Sequence, residues 1–141
     1  GSCFKKDVLN LVYLCEHYGL PEVAAYWQQV IEMNEWQKKR VAQKVIQSLG
    51  GTVQGKRIAV LGFAFKKDTN DTREAPAIAL CEHLLAAGAN VVVYDPKVSF
   101  VKIQADLNHS PFMAKNLHFA ESAEQACQGA SAAVLATVLL A

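Results

Sequence analysis

The chain has 141 residues, of which 52% are hydrophobic and 19% are charged, and its formal net charge is +1. This composition is typical of one globular domain with a small appendage, and it lacks the basic surface that nucleic acids and anionic membranes attract. No apolar run approaches the ~18 residues of a membrane-spanning helix, and no signal-peptide pattern is present. We therefore expect neither a nucleic-acid partner nor a membrane partner.

The cysteine pattern argues against disulfides and metal ions. The four cysteines are widely spaced, with no C-x-x-C pair and no histidine at a metal-ligand spacing, and the histidines form no catalytic pattern. Cys15, Cys81 and Cys127 have apolar neighbours in stretches typical of helices, which favours buried and unreactive thiols. We expect a reducing compartment, the cytoplasm, and no metal.

Two helices are predicted first. Apolar residues recur on one helical face from Lys5 to about Tyr18, where Gly19 ends the pattern, and a long helix follows from Pro21 to Leu49. At a rise of ~1.5 Å per residue the long helix spans more than ~40 Å, so a domain this small does not cover all of it. Its aliphatic stripe predicts contact with another domain or a second subunit. The basic run 37–40 is interpreted as a solvated turn.

The sequence pattern changes after the paired glycines at 50 and 51. Short apolar strands then alternate with helices, which is typical of a doubly wound parallel sheet. The predicted elements are a strand at Arg57–Leu61, a helix with Pro76 in its first turn and Thr72 or Arg73 near its cap, strands at Asn90–Tyr94 and Leu117–Phe119, a helix at Ser122–Gln128 and a strand at Ala132–Ala136. Residues 97–116 are poorly patterned.

The predicted fold class is therefore α/β, a long helix followed by an incomplete Rossmann-like parallel sheet. We place the boundary between an all-helical region, 1–50, and the sheet region, 51–141. A last strand with an unpaired edge is a liability that complete proteins cover, so we expect the chain to be part of a longer protein.

The loop after the first strand is one candidate site. Such loops form the ligand crevice at the carboxyl ends of strands in open α/β sheets. The dinucleotide fingerprint G-x-G-x-x-G is absent, so side chains would have to supply the cations for a pyrophosphate and the rings for stacking. Lys66, Lys67 and Arg73 are the candidate cations, and Phe63 and Phe65 are the candidate rings. A solvated polar loop is the alternative interpretation.

Asp95 ends the second strand, at the position where a dinucleotide-binding fold has its ribose-binding acid. Because the glycine fingerprint is missing, a structural Asp-Pro turn is the favoured interpretation of this residue.

Cys3 is the other candidate. It lies just before a predicted helix and close to Lys5 and Lys6, so the helix dipole and the two cations favour the thiolate of a nucleophilic cysteine. Asp7 is four residues later, on the same helical face, where a carboxylate can activate water for a second chemical step. A cysteine near a terminus without any role is the alternative.

Taken together, these stretches resemble the UDP-glucose dehydrogenases over almost the whole chain. The resemblance is found in five segments: Gly1–Asp7 (GSCFKKD), Val8–Cys15, Tyr26–Ile31, Gly62–Glu74 (GFAFKKDTNDTRE) and Tyr94–Lys97 (YDPK). The tail departs from the family pattern, because Val138–Ala141 stands where an acidic residue and a tryptophan are expected.

The resemblance implies an NAD-dependent enzyme that oxidises UDP-glucose twice, to UDP-glucuronate, and that assembles as a dimer-based homo-oligomer through the long helix. It implies that 51–141 is the UDP-sugar-binding domain, truncated, and that the NAD-binding domain lies before Gly1. Cys3 would be the nucleophile that forms a thiohemiacetal and then a thioester, and Asp7 would assist hydrolysis. Phe65 and Lys66 would contact the UDP-sugar. The residues near NAD would be Cys3, Phe4, Lys5, Lys6 and Arg73.

On this interpretation the chain alone is predicted to be inactive, because nothing in it binds the nicotinamide. Related dehydrogenases that act on GDP-mannose or UDP-N-acetyl-sugars remain an alternative for the parent protein. A non-catalytic module that dimerises through the long helix and binds UDP weakly is an alternative of another class, and a truncated product that folds poorly is a third.

Overall fold

The structure, a computed structural model, describes residues 2–107 and 113–137, without the side chains of residues 2, 3, 113 and 114. Its elements in chain order are α1 (Ser2–His17), α2 (Pro21–Ser48), β1 (Arg57–Leu61), α3 (Pro76–Ala86), β2 (Asn90–Tyr94), α4 (Phe100–Asp106), α5 (Met113–Asn116), β3 (Leu117–Phe119), α6 (Ala123–Cys127) and β4 (Ala132–Leu135). The predicted α/β fold class, a long helix followed by a parallel sheet, is confirmed.

The four strands form one parallel sheet in the order β3-β2-β1-β4. In the centre of the sheet Val60 lies beside Val93 of β2 and Val134 of β4. The middle residues of β1 and β2 are almost fully buried because helices cover both faces. One face packs on α3 and the end of α2, and the other packs on α6. This double cover explains why β1 and β2 read as continuous apolar runs.

The helix α2 joins the two parts of the chain. Its first half packs against α1, where Ala24 meets Val12 and Cys15 in a small apolar cluster. Its last turns enter the main core beneath the sheet, with Ala42 fully buried. Only four residues of this 28-residue helix are buried: Ala24, Ile31, Lys38 and Ala42. The predicted incomplete cover of the long helix is therefore observed, whereas the boundary between 1–50 and 51–141 stays a prediction.

Three local predictions differ from the structure. The first helix begins at Ser2, so Cys3 lies within its first turn rather than before it. The helix α3 has Ala75 at its N-cap with no side-chain cap, so neither Thr72 nor Arg73 caps it. The helices α4 and α5 were not predicted, and both lie inside the poorly patterned stretch. In α4 the one buried residue is Ile103, too little for an amphipathic pattern.

Candidate functional site

The candidate site lies at the carboxyl edge of the sheet, where the loop 62–75 connects β1 to α3. From β1 the chain adds β2 and then β3 on one side of β1, and it later adds β4 on the opposite side of β1. The direction of strand addition therefore reverses between β1 and β4. In open α/β sheets ligands bind in the crevice outside the carboxyl ends of the strands at such a reversal. The loop 62–75 borders this crevice.

The carboxylate of Asp95 holds the start of the loop. Its Oδ2 accepts hydrogen bonds from the backbone N–H of Phe63 at 2.6 Å and of Ala64 at 3.1 Å. Its Oδ1 accepts from Lys97 N at 2.8 Å and from Val98 N at 2.9 Å. Both oxygens are thus used by the backbone, which supports the structural turn rather than the ribose-binding acid.

The end of β4 also contacts the start of the loop. Gly62 has φ +88°, and a Cβ at this position would lie 2.7 Å from Thr137 Cβ. The hydroxyl of Thr137 donates a hydrogen bond to the carbonyl of Ala64. A side chain at position 62 would therefore meet both backbone strain and a steric clash. The loop needs glycine here to cross close to β4.

The far end of the loop is fixed by α4 and α1. The hydroxyl of Thr72, which is 1% exposed, donates to Asp106 Oδ2, and Asp106 Oδ1 accepts from Lys102 Nζ at 2.6 Å. Glu74 accepts from Lys5 of α1 at 2.7 Å. Both ends of the loop are therefore tied to other elements, while 66–68 are exposed.

Each of the three candidate cations of the loop has a contact of its own. The ammonium of Lys66 lies 5.3 Å from the centre of the Phe65 ring, a cation–π distance. Lys67 pairs with Asp68 at 3.7 Å. The guanidinium of Arg73 binds Asp71 at 2.7 Å and, together with its backbone N–H, lowers the pKa of Asp71 to about 2.

The two phenylalanines of the loop have different environments. Phe63 is 0% exposed and belongs to the main core, so the prediction that its ring stacks on a ligand is wrong. Phe65 is half-buried and lines a cavity of about 400 Å³. Of the two phenylalanines, Phe65 is the one that lines the cavity.

That cavity brings several predicted site residues together. It lies between α1, α2 and the loop, and it is lined by Phe4, Lys5, Val8, Val30, Ile31, Asn34 and Phe65. Lys6, Asp7, Lys66 and Arg73 are not among its lining residues. Asp7 is exposed and lies 3.9 Å from Lys6 Nζ. The side chain of Cys3 lies outside the described residues, although its backbone opens α1 beside Phe4.

Beside the cavity, four charged side chains form an ion network that the sequence did not predict. Lys5 Nζ lies 2.7 Å from Glu74 Oε2 and 3.1 Å from Glu35 Oε1. Lys38 Nζ contacts the same two carboxylates at 3.2 and 3.0 Å. Lys38 is only 9% exposed, so the interpretation of the run 37–40 as a solvated turn is wrong for this residue.

The network shifts the titration of its members. The hydrogen bond to Glu74 raises the pKa of Lys5. The hydrogen bond from Lys5 lowers the pKa of Glu74, although burial opposes this shift. Burial raises the pKa of Glu35, but the hydrogen bonds from Lys38 and Lys5 outweigh it and lower the pKa. The charge of Lys5, which the sequence assigned to the surroundings of Cys3, is therefore shared with two carboxylates.

The cysteines, metals and membrane helices can be described for residues 2–107 and 113–137. Cys15, Cys81 and Cys127 are free thiols, and burial raises the pKa of Cys81 to about 12. Within the same ranges no group of three His, Cys, Asp or Glu side chains is placed to hold a metal ion. No helix in the described part of the chain has the length and apolar character needed to cross a bilayer.

Comparison with known proteins gives a consistent result. Residues 59–139 match the UDP binding domain of the UDP-glucose/GDP-mannose dehydrogenase family. The chain is similar to the UDP-glucose 6-dehydrogenase of Drosophila melanogaster, at 63% identity over 77% of this chain and 23% of the relative. It is similar to the Bos taurus UDP-glucose 6-dehydrogenase at 51% identity, over 97% of this chain and 29% of the relative. The chain thus spans less than a third of the length of these curated relatives.

Solved structures share the fold. A UDP-glucose dehydrogenase from the archaeon Pyrobaculum islandicum superposes with a TM-score of 0.77 at 28% identity, over 98% of this chain and 30% of that chain. A GDP-mannose dehydrogenase from Pseudomonas aeruginosa, in a ternary complex, gives 0.76 at 20% identity, over 98% of this chain and 31% of that chain. At 20% identity the second likeness concerns the fold alone.

Proposed function

Because the chain belongs to the UDP-glucose/GDP-mannose dehydrogenase family, we propose that it supplies the UDP-sugar-binding crevice and the catalytic-cysteine segment of an NAD-dependent enzyme. This enzyme oxidises UDP-glucose to UDP-glucuronate. The observation that carries the proposal is the loop 62–75, which is fixed at both ends across the carboxyl edge of the sheet. A UDP-glucose substrate, rather than GDP-mannose, is favoured by relatives of 51–63% identity that are named UDP-glucose 6-dehydrogenases.

Phe65 and Lys66 are the proposed substrate contacts. The ring of Phe65 has one part in the cavity, and the ammonium of Lys66 is exposed beside it. A diphosphate gives this ammonium an anionic partner with charge-assisted hydrogen bonds, which are about twice as strong as neutral ones. Lys66 would therefore bind the pyrophosphate while Phe65 packs against the nucleotide sugar.

The chain alone tests this assignment by calorimetry with UDP-glucose. Lys66→Ala should raise the dissociation constant roughly tenfold, because the loss of one charge-assisted contact weakens binding by about 1.4 kcal/mol or more. Lys67→Ala removes the same charge one residue away and should change the constant less than about twofold. Equal effects of both variants would show nonspecific attraction and would contradict the proposed site.

Cys3 and Asp7 are the proposed chemical groups. After a first oxidation gives the C6 aldehyde, the Cys3 sulfur adds to the carbonyl carbon to form a thiohemiacetal. Loss of a hydride from that carbon and of the proton from its hydroxyl would leave a thioester, and water that Asp7 assists would hydrolyse it to the carboxylate and the free thiol. The position of Cys3 in the first turn of α1 supports this role, because unpaired N–H groups and the helix dipole favour a thiolate there.

NAD, when bound, supplies the hydride acceptor for both oxidations. The described residues do not by themselves fit a whole dinucleotide, because the sequence has no G-x-G-x-x-G and only Gly62 follows β1. The proposed contacts of a cofactor that another domain would hold are Cys3, Phe4, Lys5, Lys6 and Arg73, of which Phe4 and Lys5 line the cavity. We therefore expect the chain alone to form no NADH from UDP-glucose and NAD. A rise in absorbance at 340 nm would contradict this expectation.

Self-association through the helical hairpin α1–α2 is the second part of the proposal. Apolar side chains that remain exposed there include Tyr13, Tyr26, Val30, Met33 and Trp36. An exposed apolar surface of this kind marks an interaction site. The same surface favours the alternative function, a non-catalytic module that dimerises and binds UDP weakly.

Sedimentation equilibrium tests the association. At a chain concentration on the order of tens of micromolar, we expect a sedimentation mass of about twice the 15.4 kDa of one chain. Met33→Glu, which places a charge on the exposed face of α2, should shift the population to the monomer. Phe100→Glu alters an exposed apolar residue on α4 and should leave the mass unchanged. A wild-type chain that stays monomeric would contradict the dimer.

A further inference from the structure

Glu74 occupies an unusual position at the end of the loop 62–75. Its backbone φ is +54°, in the left-handed region that residues other than glycine rarely adopt. Such a conformation is strained and persists only where surrounding contacts fix it. The residue that directly precedes it is Arg73, one of the proposed cofactor contacts.

The contacts that fix Glu74 come from two different helices. Its Oε2 accepts hydrogen bonds from Lys5 of α1 at 2.7 Å and from Lys38 of α2 at 3.2 Å. Lys5 is two residues from Cys3, and Lys38 is among the few buried residues of α2. One carboxylate oxygen therefore joins the first turn of α1, the middle of α2 and the end of the loop.

Glu35 completes the network without replacing Glu74. Its Oε1 contacts the same two ammonium groups, at 3.1 Å from Lys5 and 3.0 Å from Lys38. Because Glu35 lies on α2, its contacts tie α1 to α2 only. Glu74 is the member of the network that belongs to the loop, so the ion pairs of the network between the loop and α1 run through it.

We propose that Glu74 is a positioning residue, which holds the first turn of α1, with Cys3, in a fixed place relative to the loop that carries Phe65 and Lys66. This inference rests on the proposed function, because it assigns the two joined segments to catalysis and to substrate binding. Glu74 acts through Lys5 and Lys38. The start of the loop keeps its own supports, Asp95 and Thr137, so the binding side does not depend on Glu74.

The first test measures local hydrogen exchange in the whole chain by NMR. Glu74→Gln keeps the size of the side chain but removes the charge that both lysines contact. We expect amide exchange at residues 5–8 to accelerate about tenfold, while the amides of β1 and β2 keep their rates. Glu16→Gln, an exposed change on α1, should alter neither set. Unchanged exchange at 5–8, or equal acceleration everywhere, would overturn the proposal.

The second test is spectroscopic and specific for the contact. The side-chain ¹⁵Nζ resonance of Lys5 reports its titration, and hydrogen bonding to Glu74 raises the pKa of this group in the folded chain. In Glu74→Gln the titration should move to lower pH, and in Glu16→Gln it should stay. If Glu74 does not contact Lys5, the titration of Lys5 in Glu74→Gln will have the same midpoint as in the wild-type chain, and this result would overturn the inference.

The affinity for UDP-glucose separates this inference from the proposed function. If Glu74 positions α1 and does not bind substrate, Glu74→Gln keeps the dissociation constant within about twofold of the wild-type value. A tenfold loss would make Glu74 a substrate contact and overturn the positioning role. If the wild-type chain does not bind UDP-glucose at all, the proposed binding function fails, while exchange and titration still decide whether Glu74 fixes α1.

Discussion

Serine in place of Cys3 lowers the rate of UDP-glucuronate formation by on the order of a thousandfold or more, the size of effect that removal of a catalytic nucleophile produces. A serine hydroxyl in the first turn of α1 is a much weaker acid than a thiol, so it is a much weaker nucleophile near neutral pH. Without a covalent adduct at position 3, the aldehyde is not carried to the acid. The expected product is therefore one NADH per UDP-glucose instead of two.

The measurement needs a complete enzyme, such as the Drosophila UDP-glucose 6-dehydrogenase with its matching segment replaced by this chain. Cys127→Ser is the matched control, because this half-buried cysteine lies on α6 at the opposite face of the sheet. The control should keep the wild-type rate. If Cys3→Ser kept more than about a tenth of the wild-type rate of UDP-glucuronate formation, Cys3 would not be the nucleophile. If the wild-type assembly formed no NADH, the non-catalytic module would be favoured.

Removal of the Asp95 carboxylate has the largest expected effect on stability. Asp95→Ala leaves four backbone N–H groups without their acceptor, three of them in the buried residues 63, 64 and 98. Each buried unsatisfied donor costs about 1–3 kcal/mol, and water reaches the donor at the exposed residue 97 more easily. We expect the free energy of unfolding to fall by about 3 kcal/mol.

Urea unfolding measures this change, and two variants make it specific. Asp95→Asn keeps one accepting oxygen and should lose about half as much. Glu16→Ala, an exposed carboxylate on α1, should change the free energy by less than about 0.5 kcal/mol. If Asp95→Ala is as stable as Glu16→Ala, the carboxylate does not hold the loop.

The sheet was predictable because its signals are local. The three strands Arg57–Leu61, Asn90–Tyr94 and Leu117–Phe119 have the predicted bounds, and β4 ends one residue early, at Leu135. A strand buried on both faces shows a continuous apolar run that needs no knowledge of its partners. The glycine and proline positions between the strands then fixed the order of helices and strands.

What the sequence did not predict depends on contacts between distant residues. Lys5 and Glu74 are 69 residues apart, so no spacing rule joins them. Lys38 and Lys39 are neighbours in the sequence, but Lys38 is buried on α2 and contacts Glu35 and Glu74, whereas Lys39 is exposed. Phe63 and Phe65 are also close in the sequence, yet Phe63, whose N–H binds Asp95, lies in the core, whereas Phe65 lines the cavity. The assignments of Cys3, Asp7, Lys66 and Arg73 stay predictions.

The continuity of α2 has a mechanical consequence. No glycine or proline interrupts this helix after Pro21, so it behaves as a stiff rod of about 40 Å. Its first half packs against α1, its last turns pack beneath the sheet, and Lys38 near its middle belongs to the ion network. Because α2 has no hinge, we expect a rotation of its exposed part to move the whole helix, and with it the end of the loop that Lys38 contacts.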